Sequence, residues 1–396
     1  MLLQGLKVVE LATWVAAPGC AGVMADWGAD VIKVESRTGD ATRTYYPDTA
    51  ESPGNPIFTM ENRGKRGIVL DTARPEGRAA LIALLKDADV FITNLRPGAL
   101  TRARLDYESL KAELPRLIYA SVSGAGLTGP EADLPAFDIT GFWAKSGAGR
   151  ATIPTDQEPY ACRPGFGDHM TALATLSAVL AAIHERGQTG KGRLVECSLL
   201  RTAAYAMGWD LSIQMRFGAV TTTQARKDRP GAIGGFFRTA DDRWICIVQR
   251  SPACFANMMK VIGRTDILGQ PRYALPMTDM DVVREVRAMV DAGFAAHSYD
   301  EMAEALTEAD LAWAPLASLA DMAASEQAAA AGCFFEVDNG WGGQMLSPAS
   351  PARFPEGAPA VTRPAPKLGQ HTREVLLEAG LSLAEVEALT RGDQGL

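Results

Sequence analysis

The sequence predicts an α/β protein, an open doubly wound domain on a parallel sheet followed by a smaller α+β domain. Three observations predict it. Leu6–Leu11 is a short β-branched run, Pro18–Trp27 a helix of small residues and Asp30–Val34 a second strand, so a strand–helix–strand unit closes within about 35 residues. The same alternation continues to residue 126. Beyond residue 236 the pattern changes to a hairpin and then a run of helices, which marks a separate unit.

In chain order, the turn-rich Ala12–Gly19 joins the first strand to its helix, and Gly28 ends that helix. Gly67–Leu70 reads as a strand, and Thr72–Lys86 as a helix with Pro75 in its first turn, where no N–H is needed. Val90–Ile92 is a strand, Asp106–Leu114 a helix stopped by Pro115, and Leu117–Val122 a strand closed by Ser123-Gly-Ala-Gly126. A long helix is expected over His169–His184, because Met170, Leu173, Leu176, Val179, Leu180 and Ile183 recur at helical spacing. Leu194–Ser198 follows as a strand, and Leu199–Phe217 as a mostly apolar helix, either core or an interface with a partner. Thr221–Gly235 reads as a linker or mobile loop. Phe236–Val248 is then a hairpin with an Asp-Asp turn, and Ala253–Val261, Met280–Ala296 and Tyr299–Glu308 are helices, so the small domain is placed at 236–320. Pro348–Pro366 leads to a last helical pair, in which Ser382–Glu385 fits a capping box.

A hydrophobic content of 47% and a charged content of 22% over 396 residues fit a globular protein with a large core. The formal charge of −8 argues against general nucleic-acid binding, so an anionic ligand must be held by local cations. Six cysteines without a CxxC pair read as reduced thiols, and four scattered histidines give no metal spacing. Leu11–Ala25 is apolar, but Lys7 and Glu10 precede it, Pro18 and Gly19 interrupt it, and it is too short to span a bilayer. The expectation is a cytoplasmic protein without a targeting peptide, a metal or a membrane partner.

In a doubly wound domain ligands bind beyond the carboxyl ends of the strands. The loops there are Thr13–Gly19, Glu35–Arg43, Thr93–Leu100 and Ser123–Pro130, with Arg37, Arg43, Arg96 and Arg102 in or just beyond them. Asn62-Arg-Gly-Lys-Arg66 adds three cations. Singly each is a solvated charge; together they suit a phosphate-bearing ligand. Glu35 ends the second strand as a ribose-binding acid would, yet the first loop has no GxGxxG, which argues against a nicotinamide dinucleotide. The stretch Arg163–Met170 puts Asp168 behind Gly165 and Gly167 at the mouth of the long helix. Asp168 there is either an N-cap, a group doing chemistry, or both.

Nine stretches in one order resemble the class III CoA-transferase family, which includes formyl-CoA transferase and the α-methylacyl-CoA racemases. They are residues 5–11, 25–35, 39–43, 62–66, 94–98, 123–126 with Gly129-Pro130, Gly167-Asp168, 189–192 and 368–372, and they cover nearly the whole length. The resemblance implies a homodimer of interlocked rings. It implies a Rossmann-like large domain at 1–220 completed by 330–396, a small α+β domain at 236–320, and linkers at 221–235 and 320–366. It makes the phosphate-bearing ligand coenzyme A, as acyl-CoA substrate with no permanently bound cofactor. Asp168 aligns with the family's catalytic aspartate, implying an aspartyl anhydride and then an aspartyl-CoA thioester, with the backbone amides after Asp168 holding the oxyanion. Motif position carries CoA contacts to Val15, Ala16, Arg37, Leu70, Asn94, Leu95 and Arg102, with Phe137 and Asp138 beside the thioester.

Departures narrow the class. The racemase branch has a histidine where this chain has Phe137, so an isomerase lacks its second base there; His169, directly after Asp168, could stand in, but reads more readily as a surface or capping residue. The glycine quartet of formyl-CoA transferase has no convincing counterpart. Leu134–Asp138 and Pro164–His169 look more like the branch of cinnamoyl-CoA:phenyllactate and 2-hydroxyisocaproate CoA-transferases, and Trp14, Phe137, Trp143 and Phe166 suit an apolar or aromatic acyl group. Aryl, 2-hydroxy and dicarboxylic acids remain open as substrates.

Overall fold

Six short strands rich in β-branched residues carry the larger part of the chain. They are β1 (Lys7–Leu11), β2 (Asp30–Glu35), β3 (Arg66–Val69), β4 (Val90–Thr93), β5 (Ile118–Ser123) and β6 (Leu194–Ser198). All neighbours pair in parallel, in the order β3-β2-β1-β4-β5-β6. The strand order reverses between β1 and β4, which opens a crevice at their carboxyl ends. The computed structural model describes residues 1–46, 54–154, 156–160, 162–218, 223–249, 251–356 and 363–390.

Both faces of the sheet are covered, as side chains of alternate residues require. Val8, Val31, Val90, Ile118 and Ala120 lie in one core, and their neighbours Val9, Ile32, Phe91 and Tyr119 in another. The helices are α1 (Ala16–Asp26), α2 (Pro56–Asn62), α3 (Pro75–Lys86), α4 (Pro97–Ala103), α5 (Tyr107–Leu110), α6 (Ala148–Thr152), α7 (Phe166–Thr189), α8 (Leu199–Ala206) and α9 (Gly208–Phe217). Cys20, Met24, Leu176 and Val179 of α1 and α7 fill the first core, whereas Leu81 and Leu85 of α3 fill the second. By length and composition α7 would also cross a bilayer; here its buried stripe Thr171, Ala172, Thr175, Leu176, Val179 and Ala182 faces protein.

Local chemistry moved several boundaries. α1 starts at Ala16, inside the expected turn, because Pro18 then falls in the first turn where it removes no helical bond. α4 was not anticipated; Pro97 opens it in the loop after β4. The helix expected over Asp106–Leu114 contracts to α5, with Asp106 Oδ1 accepting the Ser109 N–H at 3.1 Å as its cap. α9 has no buried residue: Trp209, Met215 and Phe217 are 83%, 78% and 74% exposed, so the core alternative fails for 208–217.

The chain divides into two compact units, Met1–Ala151 with Pro159–Val220 and Ala330–Leu396, and Thr152–Glu158 with Thr221–Ala329. In the second, β7 (Gly235–Arg238), β8 (Trp244–Val248) and β9 (Ala312–Pro315) form an antiparallel sheet. Helices α10 (Ala253–Val261), α11 (Met280–Ala295) and α12 (Tyr299–Glu308) complete its core with Met258, Val286, Phe294 and Leu306. Ile233 is buried in this core. The Arg287 guanidinium donates to the carbonyls of Arg226, Arg229 and Gly231 at 2.6, 2.5 and 2.7 Å. The described part of the expected linker 221–235 is therefore packed structure; residues 221–222 lie outside the described residues. The expected linker 320–366 likewise holds α13 (Leu319–Ala323, which begins one residue before it), α14 (Glu326–Ala330) and a hairpin of β10 (Phe334–Asp338) and β11 (Gln344–Pro348). Residues 357–362 lie outside the described part. α15 (Thr372–Glu378) and α16 (Leu383–Thr390) then return Val375, Leu376 and Val386 to the second core of the large sheet.

Candidate active site

Two buried lysines fix the loop after β1. Lys33 Nζ donates to Glu10 Oε1 at 2.7 Å and to the Ala12 carbonyl at 3.1 Å, and lies 3.0 Å from Asp40 Oδ2. Lys65 Nζ donates to Glu10 Oε2 at 2.5 Å and to the Pro18 carbonyl at 2.9 Å. Asn94, at the end of β4, closes the other side: its Oδ1 accepts the Thr13 N–H at 3.1 Å and its Nδ2 donates to the Thr13 carbonyl at 2.7 Å. So held, Trp14 takes φ +68°, a conformation that a bulky residue adopts only when its surroundings enforce it. Asp40 Oδ1 accepts its N–H at 3.2 Å, and its ring meets Phe137 edge-to-face at 5.3 Å.

These contacts correct the reading of the cations. Arg43 forms a fork on Glu35 at 2.8 and 2.7 Å, Arg63 grips buried Asp26, and Arg66 grips Asp30 and Glu378. Together with Lys65 they hold the fold. Arg96 reaches the cavity described below; Arg37 and Arg102 are exposed and away from its wall.

Asp168 is not the cap of its helix. α7 begins at Phe166 after Gly165 (φ +92°), which places Asp168 in the first turn with no capping bond. The carboxylate at the helix start comes instead from Asp138, the first residue of a π-helical turn over Asp138–Ala144, whose Oδ2 accepts the Gly167 N–H at 3.3 Å. Gly167 permits this approach, since a β-carbon there would stand 2.3 Å from both Asp138 Oδ1 and the Phe142 ring. The amide of His169 is spent on the Gly165 carbonyl at 2.9 Å, so it is not the oxyanion donor expected after Asp168.

Among the described residues nothing hydrogen-bonds the Asp168 carboxylate. Burial, then the charge of Asp138, pushes its pKa up to about 7; His169 opposes this and Glu61 adds to it. Burial also raises Asp138, against the neighbouring amides of Gly165 and Gly167. His169 is half-buried and its Nε2 lies 2.8 Å from Oε1 of buried Glu61, whose hydrogen bond raises the histidine's pKa. His169 is thus partly exposed, as a surface histidine would be, but it is paired with Glu61.

Asp168 faces a cavity of about 670 Å³. Val15, Ala16, Asn94, Leu95, Phe137 and Asp138 line it, as do Trp14, Tyr45, Ile57, Met60, Glu61, Val122 and His169; Leu70 is buried away from it. Of the aromatic residues expected around an acyl group, Trp14 and Phe137 are on the wall, whereas Trp143 and Phe166 pair with each other at 5.5 Å outside it. Glu61 escaped the reading of the sequence; its one signal was the run of small residues in α1, because β-carbons on Gly19 and Gly22 would stand 2.8 and 2.7 Å from Glu61 atoms. Among the described residues no group of three His, Cys, Asp or Glu is placed to hold a metal ion. A half-buried carboxylate pushed up toward neutrality on the wall of a largely apolar pocket is suited to nucleophilic or base chemistry.

Known proteins are similar to this chain in sequence and fold. The chain is 35% identical over 387 residues to the (R)-2-hydroxy-4-methylpentanoate CoA-transferase of Clostridioides difficile, with 96% of each chain covered. It is 30% identical to the cinnamoyl-CoA:phenyllactate CoA-transferase of Clostridium sporogenes, covering 98% of this chain and 96% of the relative. A CAIB/BAIF family protein from Brucella suis superposes with a TM-score of 0.83 at 29% identity, over 95% of this chain and 99% of that one. The model of CoA-transferase family III matches residues 3–372, and with the doubly wound sheet and its strand-end cavity in place, this chain belongs to that family of enzymes.

Proposed function

We propose that the protein moves coenzyme A from an acyl-CoA to a free carboxylic acid through Asp168. The observation that carries the reading is the Asp168 carboxylate itself, without a hydrogen bond among the described residues, pushed up to about 7 by burial and Asp138, and facing a largely apolar cavity beyond the carboxyl ends of the strands. One oxygen of Asp168 attacks the thioester carbonyl, the C–S bond breaks, and CoA thiolate leaves a mixed anhydride. The thiolate attacks the aspartyl carbonyl and expels the donor acid as a carboxylate, leaving an aspartyl-CoA thioester. The acceptor carboxylate enters by the reverse sequence and leaves as the new thioester. No permanently bound cofactor takes part. Val15, Ala16 and Leu95 contact the CoA arm, while Trp14 and Phe137 contact the acyl group; Asn94 acts by fixing the loop.

The apolar wall favours an aryl or branched 2-hydroxy acyl group, the chemistry named in the two relatives above. A panel of 2-hydroxy, aryl and dicarboxylic acids, assayed for CoA transfer with the wild type and Asp168→Asn, tests the reading. Transfer to the first two classes that disappears in the variant supports it; transfer that survives overturns it. One observation favours an isomerase of the α-methylacyl-CoA racemase type, the second titratable group His169 beside Asp168. Both lie on one turn of one helix, however, whereas inversion needs a base on each face of Cα. Deuterium uptake at Cα without a second acid would establish that reading.

The exposed apolar side chains Tyr205, Trp209, Met215 and Phe217 of α8 and α9 support a homodimer, with these helices in the interface. Trp209→Glu would then yield monomers in sedimentation; an unchanged dimer would remove α9 from the interface.

A further inference from the structure

The wall that carries Asp168 holds a pair of groups that the proposed reaction does not use. Glu61, in the last turn of α2, is buried with its Oε1 2.8 Å from His169 Nε2. Its seat is cleared by Gly19 and Gly22 of α1, whose missing β-carbons would collide with it. His169 follows Asp168 in the first turn of α7, and both line the cavity. The charges facing the imidazole are Glu61 from α2, Asp138 from the π-helical turn and Asp168 on its own helix. Among the described lining residues the remaining charge is Arg96.

We propose that Glu61 and His169 are a positioning pair for Asp168: buried Glu61 fixes the ring so that its positive charge stands beside the Asp168 carboxylate and keeps that carboxylate ionised in a desolvated pocket. The proposal rests on Asp168 being the nucleophile. Three carboxylates converge here against one imidazolium, so removing the imidazolium leaves Asp168 among like charges. From a starting value of about 7, a further rise of about one pH unit would cut its ionised fraction at pH 7 from roughly one half to about one tenth. That is a loss of about 5-fold in kcat/KM, recovered by pH 9.

The test is the pH profile of kcat/KM for the wild type, His169→Gln and Glu61→Gln. The expected result is an acid limb displaced to higher pH in both variants, with an alkaline plateau within about threefold of the wild type. A lowered plateau with the limb unmoved, or an unchanged profile, overturns the proposal. Should Glu61→Gln not fold, ring-proton NMR of the wild type decides, since the chain has only four histidines. His169 titrating above 6.5, and lower in Asp168→Asn, is expected; a wild-type value at or below 6.5 overturns the proposal. This measurement needs no turnover, so a covalent adduct found away from Asp168 would sink the nucleophile alone and leave the result for the pair distinguishable.

Discussion

The ion cluster beneath the first loop and the carboxylate wall at the head of α7 bury the same residue types to opposite effect. Beneath the loop, Glu10, Lys33, Asp40 and Lys65 are shut off from solvent, and each lies against an opposite charge. Burial pushes Asp40 up, but Lys33 and the hydrogen bonds of Thr42 pull it below the usual carboxylate range. At the head of α7, Asp138, Asp168 and Glu61 share His169, and burial wins at Asp168. Balanced charge makes the loop rigid enough to hold Trp14 at φ +68°; unbalanced charge and burial raise the Asp168 carboxyl toward neutrality, which suits the proposed nucleophile. Of the cations of Asn62–Arg66, Lys65 belongs to the first region, while Arg63 and Arg66 are paired with Asp26 and with Asp30 and Glu378.

The largest effect that would sharpen the contrast is catalytic. Asp168→Asn should reduce CoA transfer on the order of 10⁴-fold or more, the scale seen when a covalent nucleophile is removed, with circular dichroism unchanged. The balanced region breaks next: Glu10→Ala leaves buried Lys65 without a carboxylate and Lys33 with Asp40 alone, and should destabilise the fold by about 3–5 kcal/mol in urea denaturation. A loss under 1 kcal/mol would mean the cluster is already solvated. Gly167→Ala drives a β-carbon into Asp138 and the Phe142 ring, and should destabilise by about 1–3 kcal/mol while depressing activity.

The smallest effect has the opposite sign. A folded-state pKa near 7, above the 3.8 of the unfolded chain, means that the charged form of Asp168 destabilises the protein. The penalty is absent below about pH 4, grows between 4 and 7, and is constant above. The full shift corresponds to about 4 kcal/mol, but Asp168 is partly exposed and screened, so Asp168→Asn should stabilise by about 1–2 kcal/mol at pH 8 and by nothing at pH 4, measured by thermal or urea unfolding at both. A variant less stable than wild type at pH 8 would return Asp168 to the role of a cap.

Much of the frame was legible. Alternating β-branched runs and helical periodicity located all six strands of the large sheet, since burial on both faces leaves a continuous apolar signature. Asp168 was legible as a candidate, one carboxylate behind two glycines, but its place on the cavity wall was not. The partners of the charges were not. Arg43 and Arg63 look alike in a sequence, and only tertiary pairing with Glu35 and Asp26 assigns them to the scaffold. The capping role passed from Asp168 to Asp138, 30 residues earlier in the chain, because a π-helical turn brings that carboxylate to the helix start. Glu61 was invisible for the same reason: its meaning comes from α1 and α7, which are remote in sequence.

The most direct test of the account is to trap the covalent intermediate. The wild-type enzyme, incubated with an active acyl-CoA donor and then with hydroxylamine or borohydride, is digested and mapped by mass spectrometry. The account predicts modification of the peptide containing Asp168, at that residue, and none in Asp168→Asn. A modified Asp138 or Glu61, or turnover without any protein adduct, would contradict it.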